Sequence, residues 1–384
     1  MKIGLVLERF DPHRGGLEHW TWQFARQLLD RGHEVHIVAF EFHPAALELY
    51  GAAIMHLVEK MPRSRVERAA MLADRLRGVQ LDVIHDLGCG WYADIFHLQG
   101  GSTVALWEHN LMRIPRWRQI RFWRERRYRE MAEVERRQLA NTNAVVVTVS
   151  RMVQRHFSTL HHVPPGQMRL IYNGVDVQRF SPTHRERHRE KMRTQLGVEK
   201  GEVLFLMLAH NLLLKNAATV IRAVAQLRAA GHSARAAIVG GKRPDQFIRL
   251  ARRLDVADAV SFLEAVDDPV PFFSAADVFV HPTWYDPCSL VALEALASGL
   301  PVITTNFDGV GELIAEGQEG YVLEKPADVA ALTAGMETLI KDASHRETVG
   351  GAARQLALKH SFARQTEEFL ALYEEVARKK QPRT

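Results

Sequence analysis

The sequence lacks several features that would point to particular classes of protein. Only two cysteines occur among its 384 residues, Cys89 and Cys288, and neither lies in a Cys-x-x-Cys pair. A disulfide framework is therefore excluded as the device that holds the fold, and a reducing cytoplasm is the expected setting. No run of about 18 apolar residues appears, so no membrane-spanning helix is expected. The first residues read as an apolar strand rather than a secretory signal.

Two chemical fingerprints are also missing. The three spaced glycines of a dinucleotide-binding loop do not occur in full, which argues against a dinucleotide-dependent enzyme. No Asp-x-Asp pair stands at the end of a predicted strand, so we expect chemistry without a bound metal ion.

What is present is an alternation of strands and helices that occurs twice. The first series consists of a strand at Ile3–Leu7, a loop at Asp11–Gly16, a helix at Leu17–Leu29, and strands at Val35–Phe40, Asp82–His85, Ile95–Leu98 and Ala144–Val149. The second series consists of strands at Leu204–Ala209, Ala236–Val239, Val260–Leu263, Val278–His281 and Val302–Thr304, with helices at Ala217–Ala229, Asp245–Leu254 and Leu290–Ala297. This order is typical of the α/β class with doubly wound parallel sheets.

We therefore predict two facing Rossmann-like domains with a cleft between them. The first spans residues 1–170 and the second residues 171–359, and a C-terminal helix at 360–384 is expected to cross back onto the first domain. Ligands of such sheets bind at the carboxyl ends of the strands.

The segment from Asp286 to Glu294 carries the strongest chemical signal. A strand ends at His281, a loop carries Asp286, and a helix begins near Ser289. The amides of Ser289, Leu290 and Val291 at that helix start are predicted to bind a diphosphate. Glu294 could accept hydrogen bonds from two vicinal hydroxyls of a ribose, and Asp286 would project toward a sugar. The alternative is an ordinary βα connection in which Glu294 pairs with an arginine.

The residues around this acid pair resemble a family signature. Asp286 is followed by seven residues, by Glu294 and Ala295, and then by Gly299, Pro301 and Val302. This pattern resembles the retaining glycosyltransferases of family 4, which have the GT-B fold, although they usually carry Glu where Asp286 stands. The likeness extends to the segments 171–176 and 308–312, and a looser one, over 82–135, to bacterial lipopolysaccharide core glucosyltransferases.

The resemblance implies further residues of a donor site. Lys215 matches the family's phosphate-binding lysine, and a cation at this place could neutralise a departing diphosphate. Family members usually carry Gly-Arg five residues before it, whereas this chain has Ala209 and His210. His210 either substitutes with a partial charge or the second cation comes from elsewhere. By itself, a lysine in a loop is more often a solvated residue.

Three more positions are candidates in the first domain. Gly15 and Gly16 lie in the first strand-to-helix loop, where a backbone without Cβ can approach a ligand, or serve only as a tight turn. His97 ends a strand and, by resemblance, faces the transferred sugar. His85 and Asp86 end another strand and are the next candidates.

The segment 107–137 mixes aromatic residues with arginines. Eight arginines and one acid occur between Arg113 and Arg129. A helix here would suit an anionic membrane surface. The alternatives are a helix that binds a partner, a helix packed on its own domain, and a patch that binds nucleic acid. Of these partners we expect the membrane and no nucleic acid. The predicted membrane contacts are Trp117, Arg118, Arg121, Trp123 and Arg124.

The sequence therefore predicts a retaining, metal-independent glycosyltransferase that uses no cofactor. Its substrates are expected to be a nucleoside-diphosphate sugar, UDP-glucose or a relative, and a lipid-linked glycan such as a lipopolysaccharide core. We expect it on the inner face of the cytoplasmic membrane. Two alternatives stay open: a nucleotide-sugar epimerase on the same fold, and an inactive membrane-associated protein that binds sugar nucleotides.

Overall fold

A computed structural model describes residues 1–12, 15–49, 51–112, 125–241 and 244–380. The chain divides into two compact units. Unit 1 consists of Met1–Tyr172 together with Gln365–Thr384, and unit 2 is Asn173–Arg364. The predicted boundary at 170/171 lies two residues before this division.

Unit 1 is built on a seven-stranded parallel sheet with the strand order β5-β3-β1-β6-β7-β8-β9. Its strands are β1 (Lys2–Val6), β3 (Glu34–Ala39), β5 (Ile54–Leu57), β6 (Val83–Asp86), β7 (Ile95–His97), β8 (Val145–Thr148) and β9 (Met168–Leu170); β2 (Arg9–Phe10) and β4 (Glu41–Phe42) form a separate pair. Its helices are α1 (Gly16–Asp30), α2 (Arg65–Arg77), α3 (Thr103–Met112), α4 (Arg126–Leu139) and α5 (Arg151–His161).

The last helix of the chain, α13 (Phe362–Lys380), supplies part of the unit 1 core. Phe369 and Tyr373 are fully buried. They share one helix face because they lie four residues apart. The ring of Phe369 lies 5.3 Å from that of Phe24 on α1, and Trp20 donates through Nε1 to Gln365 at 2.8 Å. Each such buried aromatic contributes about 1.5–3 kcal/mol of apolar burial.

Unit 2 is built on a six-stranded parallel sheet with the order β12-β11-β10-β13-β14-β15. Its strands are β10 (Val203–Leu208), β11 (Ala234–Val239), β12 (Val260–Leu263), β13 (Val278–Val280), β14 (Val302–Thr305) and β15 (Gly320–Leu323). Its helices are α6 (Arg185–Gln195), α7 (Ala217–Ala229), α8 (Asp245–Arg253), α9 (Val270–Ala275), α10 (Leu290–Ala297), α11 (Val329–Lys341) and α12 (Ala343–Lys359). Short 3-10 turns lie at Pro44–Leu49, Pro165–Gln167, Pro182–His184 and Gly309–Leu313.

The strand β10 shows why this sheet forms. Its sequence is apolar throughout, and its first five residues are buried, as expected for a central parallel strand with helices on both faces. Helix α7 covers one face with Val220, Ile221 and Val224, which are all inaccessible. The prediction of two doubly wound parallel-sheet domains is confirmed.

The two segments by which the chain enters and leaves unit 2 lie side by side. Val175 accepts from the amide of Phe362 at 2.8 Å and donates to the carbonyl of His360 at 3.0 Å. A Cβ on Gly174 would come within 2.7 Å of the Phe362 Cα. Only glycine therefore allows the two segments to approach this closely.

Candidate functional site

The candidate site lies where the strand order of unit 2 reverses. Strands β10 and β13 are neighbours in the sheet, but the chain runs outward from them in opposite directions. The loops that follow such a pair diverge and leave a crevice at the carboxyl end of the sheet. Lys215 lies in the loop after β10 and Asp286 in the loop after β13, so both predicted residues lie at this point.

Lys215 and Asp286 form an ion pair with each other. The Lys215 Nζ donates to the Asp286 Oδ2 and, at 3.4 Å, to the carbonyl of Tyr285. The His281 Nε2 lies 3.2 Å from the same carboxylate oxygen. Burial alone would raise the pKa of Asp286, but Lys215 and His281 together hold this pKa well below its usual range. The carboxylate is therefore charged, and Lys215 is already partnered.

Backbone hydrogen bonds hold the two loops together. The amide of Trp284 donates to the carbonyl of Leu214 at 2.9 Å, and the Thr283 hydroxyl donates to the same carbonyl at 3.3 Å. Because these bonds lie beside the ion pair, they fix the positions of the two loops that carry Lys215 and Asp286.

Helix α10 begins at Leu290, as the sequence predicted, but one of its predicted free amides is engaged. Ser289 is the N-cap, and its hydroxyl accepts from the amide of Ala292 at 3.2 Å. Its own N–H donates to the Asp308 Oδ1 at 3.2 Å. The structure thus corrects the expectation that the Ser289 amide is open to a phosphate. Leu290 and Val291 are the first two helical residues, whose N–H groups have no acceptor within the helix.

Asp308 is a neighbour of the helix start that the sequence analysis included only as the first residue of the segment 308–312. Its Oδ1 also accepts from the amide of Val310 at 3.0 Å, and its Oδ2 accepts from the Thr304 hydroxyl at 2.8 Å. Burial raises its pKa to about 6, and the charge of Asp286 adds to this effect. An acid that follows a buried strand was visible in the sequence, but its contact with Ser289 was not.

Glu294 lies on α10 and is half-buried. Desolvation raises its pKa to about 8, and the positive charge of Arg179 opposes the shift only in part. Arg179 is therefore the arginine that the alternative interpretation of Glu294 requires. Its positive charge lowers the pKa of Glu294 by less than burial raises it.

Comparison with known proteins identifies the family. A family profile described as Glycosyltransferase Family 4 matches residues 14–179, and one described as Glycosyl transferases group 1 matches residues 188–356. The chain belongs to glycosyltransferase family 4. The two units accordingly match GT-B structures.

Individual relatives agree with this assignment. The lipopolysaccharide glucosyltransferase WaaG of Escherichia coli is 30% identical over 52% of this chain and 54% of its own length, so the aligned sequence spans about half the length of this curated relative. A solved WaaG structure matches with a TM-score of 0.80 at 21% identity, over 97% and 99% of the two chains. The Anabaena protein HepE, solved in complex with UDP-glucose, matches with a TM-score of 0.72 at 19% identity, over 98% and 100%.

The remaining donor-site predictions of this family 4 glycosyltransferase are placed as follows. His210 is exposed two residues after β10. Gly15 is the extended N-cap of α1, and Gly16 is its first residue. Both glycines are exposed and follow β1, which adjoins β6 where the unit 1 sheet also reverses. No contact tests the predicted roles of these three residues.

His97 ends β7 as predicted, but its ring is enclosed. It is inaccessible to solvent and lies 5.0 Å from the ring of Trp20, 4.9 Å from Phe369 and 5.3 Å from His85. Among the described residues, neither of its ring nitrogens has a hydrogen-bond partner. Burial and the neighbouring His85 hold its pKa well below the usual value. The ring therefore faces the interior of unit 1, and contact with a sugar stays a prediction.

His85 and Asp86, the other candidates at a strand end in unit 1, are also buried. His85 is fully buried, its Nδ1 lies 2.5 Å from the Tyr373 hydroxyl, and burial lowers its pKa to about 3. Asp86 accepts through its carboxylate from the amides of Gly88, Cys89 and Gly90. Asp86 therefore holds the shape of its own loop.

The predicted membrane contacts Trp117, Arg118, Arg121, Trp123 and Arg124 lie outside the described residues. On one flank Met112, the last residue of α3, is 60% exposed. On the other flank Arg127 and Arg129 are exposed on the first turns of α4. Within the ranges that the structure describes, no helix is long and apolar enough to cross a membrane, and no group of three His, Cys, Asp or Glu side chains could hold a metal ion.

Proposed function

We propose that this glycosyltransferase transfers a hexose from a nucleoside-diphosphate sugar, UDP-glucose foremost, with retention at the anomeric carbon and without a metal ion. The observation that carries the proposal is the meeting of Lys215, Asp286 and the start of α10 at the switch point of one parallel sheet. A cation and a helix start at the same crevice suit a diphosphate.

Each residue has a role that its surroundings support. The diphosphate would lie against the amides of Leu290 and Val291 and draw on the charge of Lys215. Asp286, whose carboxylate stays ionised, would accept hydrogen bonds from the sugar hydroxyls. Glu294, five residues after Ser289, would accept hydrogen bonds from the two ribose hydroxyls. His97 would face the transferred sugar by family resemblance, and this contact stays a prediction because its ring is enclosed in unit 1.

The reaction follows from this arrangement and from family resemblance. The bond between the anomeric carbon and the phosphate oxygen breaks while the acceptor oxygen forms its bond on the same face of the sugar. The acceptor proton passes to an oxygen of the leaving phosphate, so no carboxylate has to act as a nucleophile. Lys215 and the α10 start stabilise the negative charge that develops on the diphosphate.

The test is nucleotide release from a panel of UDP- and GDP-sugars, with and without acceptor. We expect slow UDP release from UDP-glucose, lost in Glu294→Ala and in Lys215→Ala. Glu337→Ala is the matched control, because that glutamate lies on α11 and pairs at the surface with Lys341 and His232. Nuclear magnetic resonance of the product gives the anomeric configuration, and activity that requires added divalent ions contradicts the metal-independent scheme.

Two other outcomes correspond to the alternative functions. Epimerisation of the sugar without UDP release indicates an epimerase, and tight UDP binding without turnover indicates an inactive binding protein. No contact among the described residues favours either alternative.

We further propose a lipid-linked glycan, such as a lipopolysaccharide core, as the acceptor at an anionic membrane surface. The name of the E. coli relative and the exposed Met112, Arg127 and Arg129 support this proposal. Arg127 and Arg129 have no ion-pair partner among the described residues, whereas Arg126, Arg136 and Arg137 pair with glutamates of α4.

Vesicle binding tests the membrane part of this proposal. Vesicles with anionic lipid should sediment the protein, and replacement of the arginines between 113 and 129 by Gln should release it. The matched control replaces Arg136 and Arg137 by Gln. Binding that survives the first set of substitutions contradicts the membrane role of this segment.

A further inference from the structure

A buried carboxylate already occupies the amide that a phosphate would meet first at the start of α10. Asp308 is 1% exposed, and its Oδ1 accepts from the N–H of Ser289, the N-cap, at 3.2 Å. The helix start thus has an anion of its own, supplied by the chain.

Hydrogen bonds hold this carboxylate in place. The loop that carries Asp308 is joined to the loop of Asp286 by two backbone hydrogen bonds: the amide of Asp286 donates to the Phe307 carbonyl at 2.8 Å, and the amide of Gly309 donates to the Asp286 carbonyl at 2.9 Å. The Thr304 hydroxyl holds the second carboxylate oxygen at 2.8 Å. A bound diphosphate must therefore share the helix start with this negative charge.

The charges nearby do not cancel it. The charge of Lys215 is matched by Asp286, with which it forms its ion pair, and His281, which opposes the charge of Asp308, also contacts the Asp286 carboxylate at 3.2 Å. With a pKa of about 6 the Asp308 carboxylate is mostly ionised at neutral pH. A nucleoside-diphosphate sugar carries two negative charges on its diphosphate, whereas the free nucleoside diphosphate released by transfer carries three. Like-charge repulsion therefore acts more strongly on the product than on the donor.

We propose that Asp308 weakens the binding of the leaving nucleoside diphosphate more than that of the donor, and so promotes release of the product. The inference rests on the proposed function, because it requires a diphosphate at the start of α10. Under this inference Asp308 promotes dissociation of the product and does not contribute to binding of the donor.

Asp308→Asn removes the charge and keeps the geometry. The amide oxygen can still accept from Ser289 and Val310, and its NH2 group can donate to the Thr304 hydroxyl, which has the carbonyl of His281 as its own acceptor at 3.1 Å. Asp308→Ser is a second neutral variant, since a serine hydroxyl can cap the following turn. Asp328→Asn is the matched control: Asp328 is the N-cap of α11 and accepts from the amide of Ala331 at 2.9 Å.

The measurement is the affinity of each variant for UDP and for UDP-glucose by calorimetry at about pH 8, where the Asp308 carboxyl is ionised. We expect both Asp308 variants to bind UDP about tenfold more tightly than the wild type and UDP-glucose only about fivefold more tightly, because the repulsion scales with the ligand charge of three against two. UDP should become a correspondingly stronger product inhibitor. Asp328→Asn should change neither affinity.

Other results overturn the inference. Unchanged or weaker UDP binding in the neutral variants shows that the carboxylate only caps the loop, and equal tightening of UDP and UDP-glucose shows that it does not discriminate product from donor. Failure of the proposed function looks different: the wild type itself then binds and releases no nucleotide, and the inference fails with it.

Discussion

Glu294 gives the enzyme a pH dependence that can be worked out from its surroundings. Its pKa is raised to about 8 by burial, so at pH 7 only about one tenth of the molecules carry the carboxylate in its ionised form. If the ionised form accepts the ribose hydroxyls, the apparent donor affinity is reduced by that fraction. From about pH 7 to pH 9 the ionised fraction rises to about nine tenths, and the donor KM should fall about tenfold.

The stability of the protein without ligand should change in the opposite direction. A carboxyl whose pKa rises from 4.5 to about 8 on folding keeps its proton in the folded state while the unfolded chain loses it. This contribution therefore lowers the free energy of unfolding as pH rises from 4.5 toward 8, and it levels off above that value. Donor binding becomes stronger over a range in which the free protein becomes less stable.

The assay is initial-rate UDP release at a series of UDP-glucose concentrations and pH values, for the wild type and for Glu294→Gln. The glutamine cannot ionise, so its KM should not vary through pH 8, while any titration elsewhere affects both proteins equally. A wild-type KM that stays level from pH 7 to 9, or a Gln variant with the same slope as the wild type, refutes the assignment of the ribose to Glu294.

Three further outcomes are expected. Lys215→Met should abolish nucleotide release and lower the free energy of unfolding of unit 2, measured in urea, by about 3 kcal/mol, because the Asp286 carboxylate is then buried without its cation. The double variant with Asp286→Asn should recover most of the stability and none of the activity. Additive losses of stability would contradict the pairing. Tyr373→Phe should destabilise unit 1 by about 1–3 kcal/mol in thermal unfolding, because the Nδ1 of His85 then has no partner, and an unchanged transition would show that this bond contributes nothing. His210→Arg should strengthen UDP binding several-fold, about what a new exposed cation contributes at this distance from a phosphate, whereas an unchanged inhibition constant would show that position 210 does not face the nucleotide.

The sequence predicts the central strands of both sheets and the edge strand Val260–Leu263, but it misses the edge strands Ile54–Leu57 and Gly320–Leu323. A run such as Val203–Leu208 has no polar residue, and only a strand between two helix layers suits it. At the edge of unit 1, Ile54–Leu57 mixes polar and apolar residues, and both of its end residues are exposed. The strand Gly320–Leu323 is only four residues long. Neither has the pattern that would have predicted it, because edge strands are stabilised mainly by pairing with a neighbour.

The same limit applies to the site. The spacing from Asp286 to Glu294 predicted the helix start, since cap and helix are close in sequence. The engagement of the Ser289 amide could not be predicted, because its partner Asp308 approaches from a different loop. The enclosure of His97 likewise depends on Phe369, which the chain adds only in its last helix. The local sequence pattern shows which side chains and amides a site could use. Contacts between segments that are distant in sequence decide which of these groups remain accessible to a ligand.

The return of α13 to unit 1 also has a consequence for how the protein is made. Synthesis proceeds from the amino end, so the ribosome completes Met1–Tyr172 and then the whole of unit 2 before the residues from Gln365 onward emerge. Until then Trp20, Phe24 and His85 lack the rings that cover them. The part of the chain that is made first is therefore finished last. A chain that stops before Gln365 contains every residue of unit 2 but leaves the aromatic core of unit 1 open to water and to chaperones.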